Sequence, residues 1–289
     1  MNRPLFTGAC TALVTPFLNG NVNYPMMEVL IRRQIDAGVR AIVVCGTTGE
    51  APTLSDAEKI EIFRKCKEYA GHDCLIIAGT GSNSTEHTIW LSKEAEKCGV
   101  DALLIVSPYY NKATAEGLVA HYTAIAQEVH IPIILYNVPS RTGVDIPVSV
   151  YKSLSKIEHI IGVKEAVTDL AKVVQIRAEC PDFTIWCGND DLVVPFMSLG
   201  AKGVVSVLSN VAPTETQLLT QAALSGDYNT AGAMQCKLMP LIKLLFCEVN
   251  PIAVKAAMGC IGYDCGDCRL PLTPLSKENL EKLQNFLKS

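Results

Sequence analysis

The chain has 289 residues, 49% of them hydrophobic and 19% charged, with a formal net charge of −4. That length carries one large α/β barrel or two ordinary domains, and the composition is that of a globular protein. An acidic balance without a basic stripe argues against a nucleic-acid footprint, and apolar runs broken by Gly, Pro or charge well before about 18 residues argue against a membrane span.

Arg3-Pro4 is followed almost at once by strand-like sequence, which is no signal-peptide pattern, so the chain reads as cytoplasmic. The first apolar run, 9–15, leads into Pro16-Phe17-Leu18-Asn19-Gly20, which is no phosphate-binding glycine fingerprint. The second, 41–45, ends in Gly46-Thr47-Thr48-Gly49-Glu50. Its hydroxyls and amide N–H groups can hold a carboxylate, and the same residues serve equally as a plain turn. Ser55-Asp56-Ala57-Glu58 is a capping box, with Ile60, Phe63 and Cys66 following at helical spacing.

Run 75–78 precedes a helical pattern over 85–97 that stops at Gly99. Run 102–106 opens into Ser107-Pro108-Tyr109-Tyr110-Asn111, and a helix is predicted over 117–129. Run 133–136 ends at Tyr136 and continues as Asn137-Val138-Pro139-Ser140-Arg141-Thr142-Gly143. A strand-end tyrosine suits acid/base work, and Arg141 suits either a carboxylate clamp or a solvated surface charge. Run 160–164 ends in Lys164-Glu165, with a helix over 170–180 stopping at Pro181. Run 183–187 leads into Gly188-Asn189-Asp190-Asp191, acids that fit a helix N-cap, and run 204–207 is the eighth.

Eight mostly continuous apolar runs, spaced roughly 20–35 residues apart and alternating with helices, predict a (β/α)8 barrel. A doubly wound sheet is the competing architecture, and it lacks its glycine fingerprint here. The barrel is expected over 1–225, with a helical C-terminal appendage over 226–289 (helices near 231–246, 253–261 and 280–287).

The twelve cysteines are spread along the chain and read as reduced thiols acting as small hydrophobes. Cys260, Cys265 and Cys268 have a spacing similar to part of a plant-type iron–sulfur site, but the required fourth cysteine does not follow.

Lys164 carries the sharpest signal. A lysine closing a buried strand must be paired, deprotonated or used covalently, because an isolated buried ammonium is costly. Covalent use would make its amine a nucleophile toward a ketone; the structural alternative is an ion pair with Glu165 or an aspartate.

The four motifs Gly46–Glu50, Ser107–Asn111, Tyr136–Gly143 and Gly162-Val163-Lys164-Glu165 stand in order, with Asn250-Pro251-Ile252 downstream. Together they resemble the dihydrodipicolinate synthase family of the N-acetylneuraminate lyase superfamily, from Phe6 to Arg269-Leu270-Pro271-Leu272-Thr273-Pro274. The resemblance implies a lyase of class I aldolase type, in the first committed step of the diaminopimelate/lysine pathway. It joins pyruvate to L-aspartate 4-semialdehyde through an imine and then an enamine on Lys164. It implies no organic cofactor and no metal, since the protonated imine is the electron sink.

By position, Thr48 would hold the pyruvate carboxylate, and Tyr136 would move the proton near the imine. Thr47 and Tyr110 would complete a hydroxyl relay, with Tyr110 reaching into a neighbouring subunit. Arg141 would bind the semialdehyde carboxylate, and Gly188 and Val205 would line the pyruvate pocket by backbone. A homotetramer, a dimer of dimers, is implied.

Two alternatives remain at this stage. One is a pyruvate-dependent aldolase for sialic or keto-deoxy sugar acids, whose members usually read Gly-Ser-Thr-Gly-Glu and lack the Ser-Arg-Thr-Gly turn. The other is a non-catalytic binding relative, which would have lost Lys164 or Tyr136. Lysine-inhibited members carry Ser-Ala after Gly-Glu, then histidines and a glutamate, where this chain has Ala51-Pro52, Asp56, Lys59 and His87. Asn83 and Tyr109 still match. The cationic Lys59 implies weak or absent inhibition by lysine.

Overall fold

The computed structural model describes residues 4–288. Eight parallel strands form β1 (Gly8–Ala12), β2 (Ala41–Val44), β3 (Leu75–Gly79), β4 (Ala102–Val106), β5 (Ile133–Asn137), β6 (Ile160–Glu165), β7 (Thr184–Cys187) and β8 (Gly203–Ser206). Each pairs with its neighbours in sequence, and β1 pairs with both β2 and β8, which closes the sheet. Closure selects the expected (β/α)8 barrel over the open doubly wound sheet.

A helix follows each strand: α1 (Tyr24–Asp36), α2 (Asp56–Ala70), α3 (Thr85–Lys97), α4 (Ala115–Ala126), α5 (Val148–Leu154), α6 (Leu170–Glu179), α7 (Val193–Ser198) and α8 (Pro213–Leu224). Helix α2 starts at the expected capping box: Ser55 Oγ accepts from Glu58 N–H (3.2 Å), and Glu58 returns a carboxylate to Ser55 N–H (2.8 Å). Helix α1 was not among the expected elements. Its signal is local, since Asn23 accepts from Met26 N–H (3.2 Å) and Pro25 stands in the first turn. Strand β1 ends at Ala12, short of the expected Thr15, because Val14 N–H turns to the Asn210 side chain (3.1 Å).

Period-two alternation divides the apolar residues into two layers. Ile42, Val44, Ile133, Leu135 and Val163 face the helices, in one cluster with Phe63, Leu118 and Tyr151. Ala41, Val43, Ile134, Tyr136, Trp186 and Val205 fill the barrel interior. A register shift sits between β5 and β6: Ile133 pairs with Ile160, but Ile134 pairs with Gly162. The extra residue brings Tyr136 opposite Lys164; without it Tyr136 would face Val163. Gly162 is required there, because a β-carbon would lie 2.8 Å from the Trp186 ring and 2.2 Å from Thr184 O.

Beyond the barrel run α9 (Tyr228–Leu245), α10 (Ile252–Cys260) and α11 (Lys277–Lys288). Leu241, Leu245, Val254, Met258 and Leu283 join the same apolar cluster as the outer barrel layer. Among the described residues, no helix is long and apolar enough to cross a membrane.

Candidate active site

Functional groups of a (β/α)8 barrel gather where its strands end. The last inward positions of β5 and β6 are Tyr136 and Lys164, paired across the sheet. Both are 6% exposed, and Lys164 Nζ lies 4.1 Å from the centre of the Tyr136 ring. Three lysines in the described chain are buried: Lys164, Lys172 and Lys255. Lys172 pairs with Asp145 and Glu165, and Lys255 with Glu50. Lys164 has no ion-pair or hydrogen-bond partner among the described residues. The amine is therefore not tied up in a salt bridge and is available for covalent chemistry.

The ion pair of Lys164 with Glu165 does not form, for a reason of strand geometry. Adjacent residues on a strand point to opposite faces. Glu165 therefore leaves the barrel and enters a buried cluster behind it. Its Oε1 accepts from Asn137 Nδ2 (2.6 Å) and its Oε2 from Tyr151 OH (2.8 Å). Asn137 Nδ2 also donates to Asp145 Oδ1 (2.8 Å), and Asn137 Oδ1 accepts from Ile146 N–H (3.1 Å). One side chain thus ties both ends of the loop carrying Arg141 to β6.

Burial pushes the Glu165 carboxyl up to about 7, against the Lys172 charge and the Asn137 and Tyr151 hydrogen bonds. The folded state then holds this proton more tightly than the unfolded chain does. Stability therefore falls as pH rises from the ordinary 4.5 toward about 7, and the loss is complete above that. Glu165→Gln is expected to flatten the melting temperature between about pH 5 and pH 8. Parallel profiles for both proteins would refute this.

The β2 loop places Thr47 at the edge of the cavity and buries Thr48 and Glu50. Thr48 Oγ1 accepts from Asn250 Nδ2 (3.0 Å). Gly188 N–H donates to Glu165 O (2.8 Å), and a β-carbon on Gly188 would lie 2.7 Å from Ala166 Cβ. Val205 faces the interior from β8. Asp190 serves otherwise than as the cap of its own helix: its Oδ2 accepts from Val207 N–H and Leu208 N–H (both 2.9 Å), fixing the turn after β8. Burial pushes its carboxyl up.

A cavity of about 580 Å³ opens beside Tyr136, Thr47 and Arg141. Arg141 is exposed, on the short helical turn Pro139–Thr142. Tyr110 does not line this cavity; it is 92% exposed, with φ +73°. The cavity continues over Ala51, Pro52, Lys59, Asn83 and His87. There Asp56 receives Lys59 (3.5 Å) and His87 (3.0 Å). Partial burial alone would raise the Asp56 carboxyl; the His87 hydrogen bond and the His87 and Lys59 charges outweigh it and hold it below its usual range.

All twelve cysteines are free. Cys260 is exposed while Cys265 is buried, and among the described residues no group of three His, Cys, Asp or Glu converges on a metal-sized site. Sequence reasoning missed Tyr151, Lys172 and Asp145 behind β6. A lysine in the apolar first turn of α6 was the one available signal.

The model of the dihydrodipicolinate synthetase family matches residues 5–289. The chain is 46% identical over 289 residues to the 4-hydroxy-tetrahydrodipicolinate synthase of Acetivibrio thermocellus, covering 100% of this chain and 98% of that one. The crystal structure of dihydrodipicolinate synthase from Aquifex aeolicus is 44% identical and superposes with a TM-score of 0.96, covering 98% of this chain and 97% of that one. The chloride-inhibited enzyme of Acinetobacter baumannii, complexed with pyruvate, is 41% identical with a TM-score of 0.95, covering 98% of each chain.

Proposed function

The chain belongs to the dihydrodipicolinate synthetase family, and from that premise we propose that it condenses pyruvate with L-aspartate 4-semialdehyde to 4-hydroxy-tetrahydrodipicolinate, with Lys164 as the imine-forming residue. The observation that carries the residue assignment is the unpaired, buried Lys164 amine beside the Tyr136 phenol.

The amine adds to the pyruvate ketone and water leaves, giving a protonated imine. Loss of a methyl proton gives the enamine, whose carbon attacks the semialdehyde aldehyde. The amino group of the new adduct then attacks the imine carbon, closing the ring and releasing Lys164. Tyr136 moves the protons, with Thr47 in relay. Thr48 and the amides around it hold the pyruvate carboxylate, and Gly188 and Val205 shape the pocket by backbone. Arg141, a planar fork at the cavity mouth, receives the semialdehyde carboxylate. No organic cofactor or metal is needed, because the imine nitrogen takes up the electron pair.

Tyr110 stands in solvent in the loop after β4, which supports its use in a neighbouring subunit's site; the family resemblance adds a homotetramer built as a dimer of dimers. A cytoplasmic setting fits the free thiols.

Borohydride reduction in the presence of pyruvate tests the reading. A stable adduct on the peptide bearing Lys164 is expected, and its absence would overturn the assignment. Coupled assays with aspartate semialdehyde and with N-acetylmannosamine separate this activity from that of a sugar-acid aldolase. The cationic Lys59 in this part of the cavity, and an Asp56 carboxylate already engaged by Lys59 and His87, disfavour a lysine ligand. L-lysine is expected to inhibit weakly or not at all; inhibition at micromolar concentration would refute that.

A further inference from the structure

The carboxylate-binding loop is held from behind by residues distant in sequence. Asn250 Nδ2 donates to Thr48 Oγ1 (3.0 Å) across 202 residues of chain. Two residues on, Glu50 adopts a left-handed backbone (φ +56°), a conformation that costs a non-glycine residue free energy unless its surroundings hold it. Its Oε1 pairs with Lys255 Nζ (2.9 Å) and its Oε2 accepts from Arg269 N–H (2.8 Å). Every one of these contacts comes from the segment beyond α9, and Thr48, Glu50, Asn250 and Lys255 are all buried.

The direction of the Asn250 bond matters. A hydroxyl has one proton to give and two lone pairs. With an amide N–H occupying one lone pair, the Thr48 proton is left for another acceptor. In this arrangement the amide nitrogen, not Oδ1, faces the hydroxyl, and Oδ1 is buried with no hydrogen-bond partner among the described residues, so the amide does not take the Thr48 proton. Donation into a hydroxyl also strengthens the bond that the hydroxyl then makes.

We propose that Asn250 is a positioning residue that orients Thr48 as a hydrogen-bond donor to the pyruvate carboxylate, so that the C-terminal segment completes the substrate pocket. The proposal rests on the assignment of Lys164 and Thr48 above. The adduct of the unaltered enzyme tests that assignment separately.

The measurement is the pyruvate concentration giving half-maximal borohydride trapping at Lys164. Asn250→Ala is expected to raise it about tenfold. Asn250→Asp preserves volume but turns the contact round, because a carboxylate accepts the Thr48 proton. It is expected to raise the value further, and it carries the test should the alanine variant not fold. On a Thr48→Val background, Asn250→Ala should add nothing, whereas on Thr48→Ser its full effect should return. Unchanged half-trapping in both Asn250 variants, or effects that add fully on the Thr48→Val background, would overturn the proposal. An unaltered enzyme that forms no adduct would instead overturn the underlying assignment.

Discussion

Lys164→Met is expected to abolish the borohydride-trapped pyruvate adduct, to lower turnover by roughly 10⁴-fold or more, and to leave the protein at least as stable as before. The first two effects follow from the proposed mechanism, in which the Lys164 nitrogen is the only protein atom that bonds to the ketone. The third follows from what surrounds that atom. Lys164 is 6% exposed and has no carboxylate or hydrogen-bond partner among the described residues. Its burial therefore costs free energy that the Tyr136 ring, 4.1 Å from Nζ, returns only in part. A thioether of similar length removes that cost, for a gain of about 1 kcal/mol. Turnover is read in a coupled assay and stability by urea titration. Residual turnover above a few per cent would remove Lys164 from the chemistry. A clear loss of stability would mean that the contact with the Tyr136 ring outweighs the cost of burying the amine.

Lys255→Met is expected to do the opposite. Lys255 and Glu50 are both fully buried, 2.9 Å apart, and the Lys255 ammonium also donates to Asp267 O (3.0 Å) and lies 4.3 Å from the centre of the Phe17 ring. Removing one member of a buried pair leaves the other charge uncompensated, at a cost of about 3–5 kcal/mol. That is a large share of the roughly 5–15 kcal/mol by which a domain is stable. Glu50→Gln on top of Lys255→Met should recover part of the loss, because it removes the stranded charge. A single-variant loss below about 1 kcal/mol, read by urea titration, would refute the account. The same substitution at two buried lysines thus has opposite consequences for folding, set by what each amine touches.

Much of the candidate site was legible before the fold was known. Lys164 stood out because a strand covered on both faces reads as an unbroken apolar run, and a lysine closing such a run conflicts with its surroundings. The capping box at Ser55, the helix at 85–97 and the strand ends bearing Tyr136 and Gly188 are local signals of the same kind. The choice between a free Lys164 and one paired with Glu165 was open on composition alone, although strand alternation already placed the two on opposite faces. Tyr110 is the converse case: its motif was plain, yet the single chain leaves it 92% exposed and outside the cavity.

The sequence by itself determined the barrel, its order of strands and helices, and the strand ends at which chemistry can sit. Those properties are carried by residues close together along the chain. Only the tertiary structure decided which of three buried lysines is unpaired and that Asp190 fixes the turn after β8. It alone revealed that Asn250 reaches Thr48 across 202 residues. Such partners meet only when the sheet closes and the C-terminal helices dock, and no local periodicity encodes that meeting.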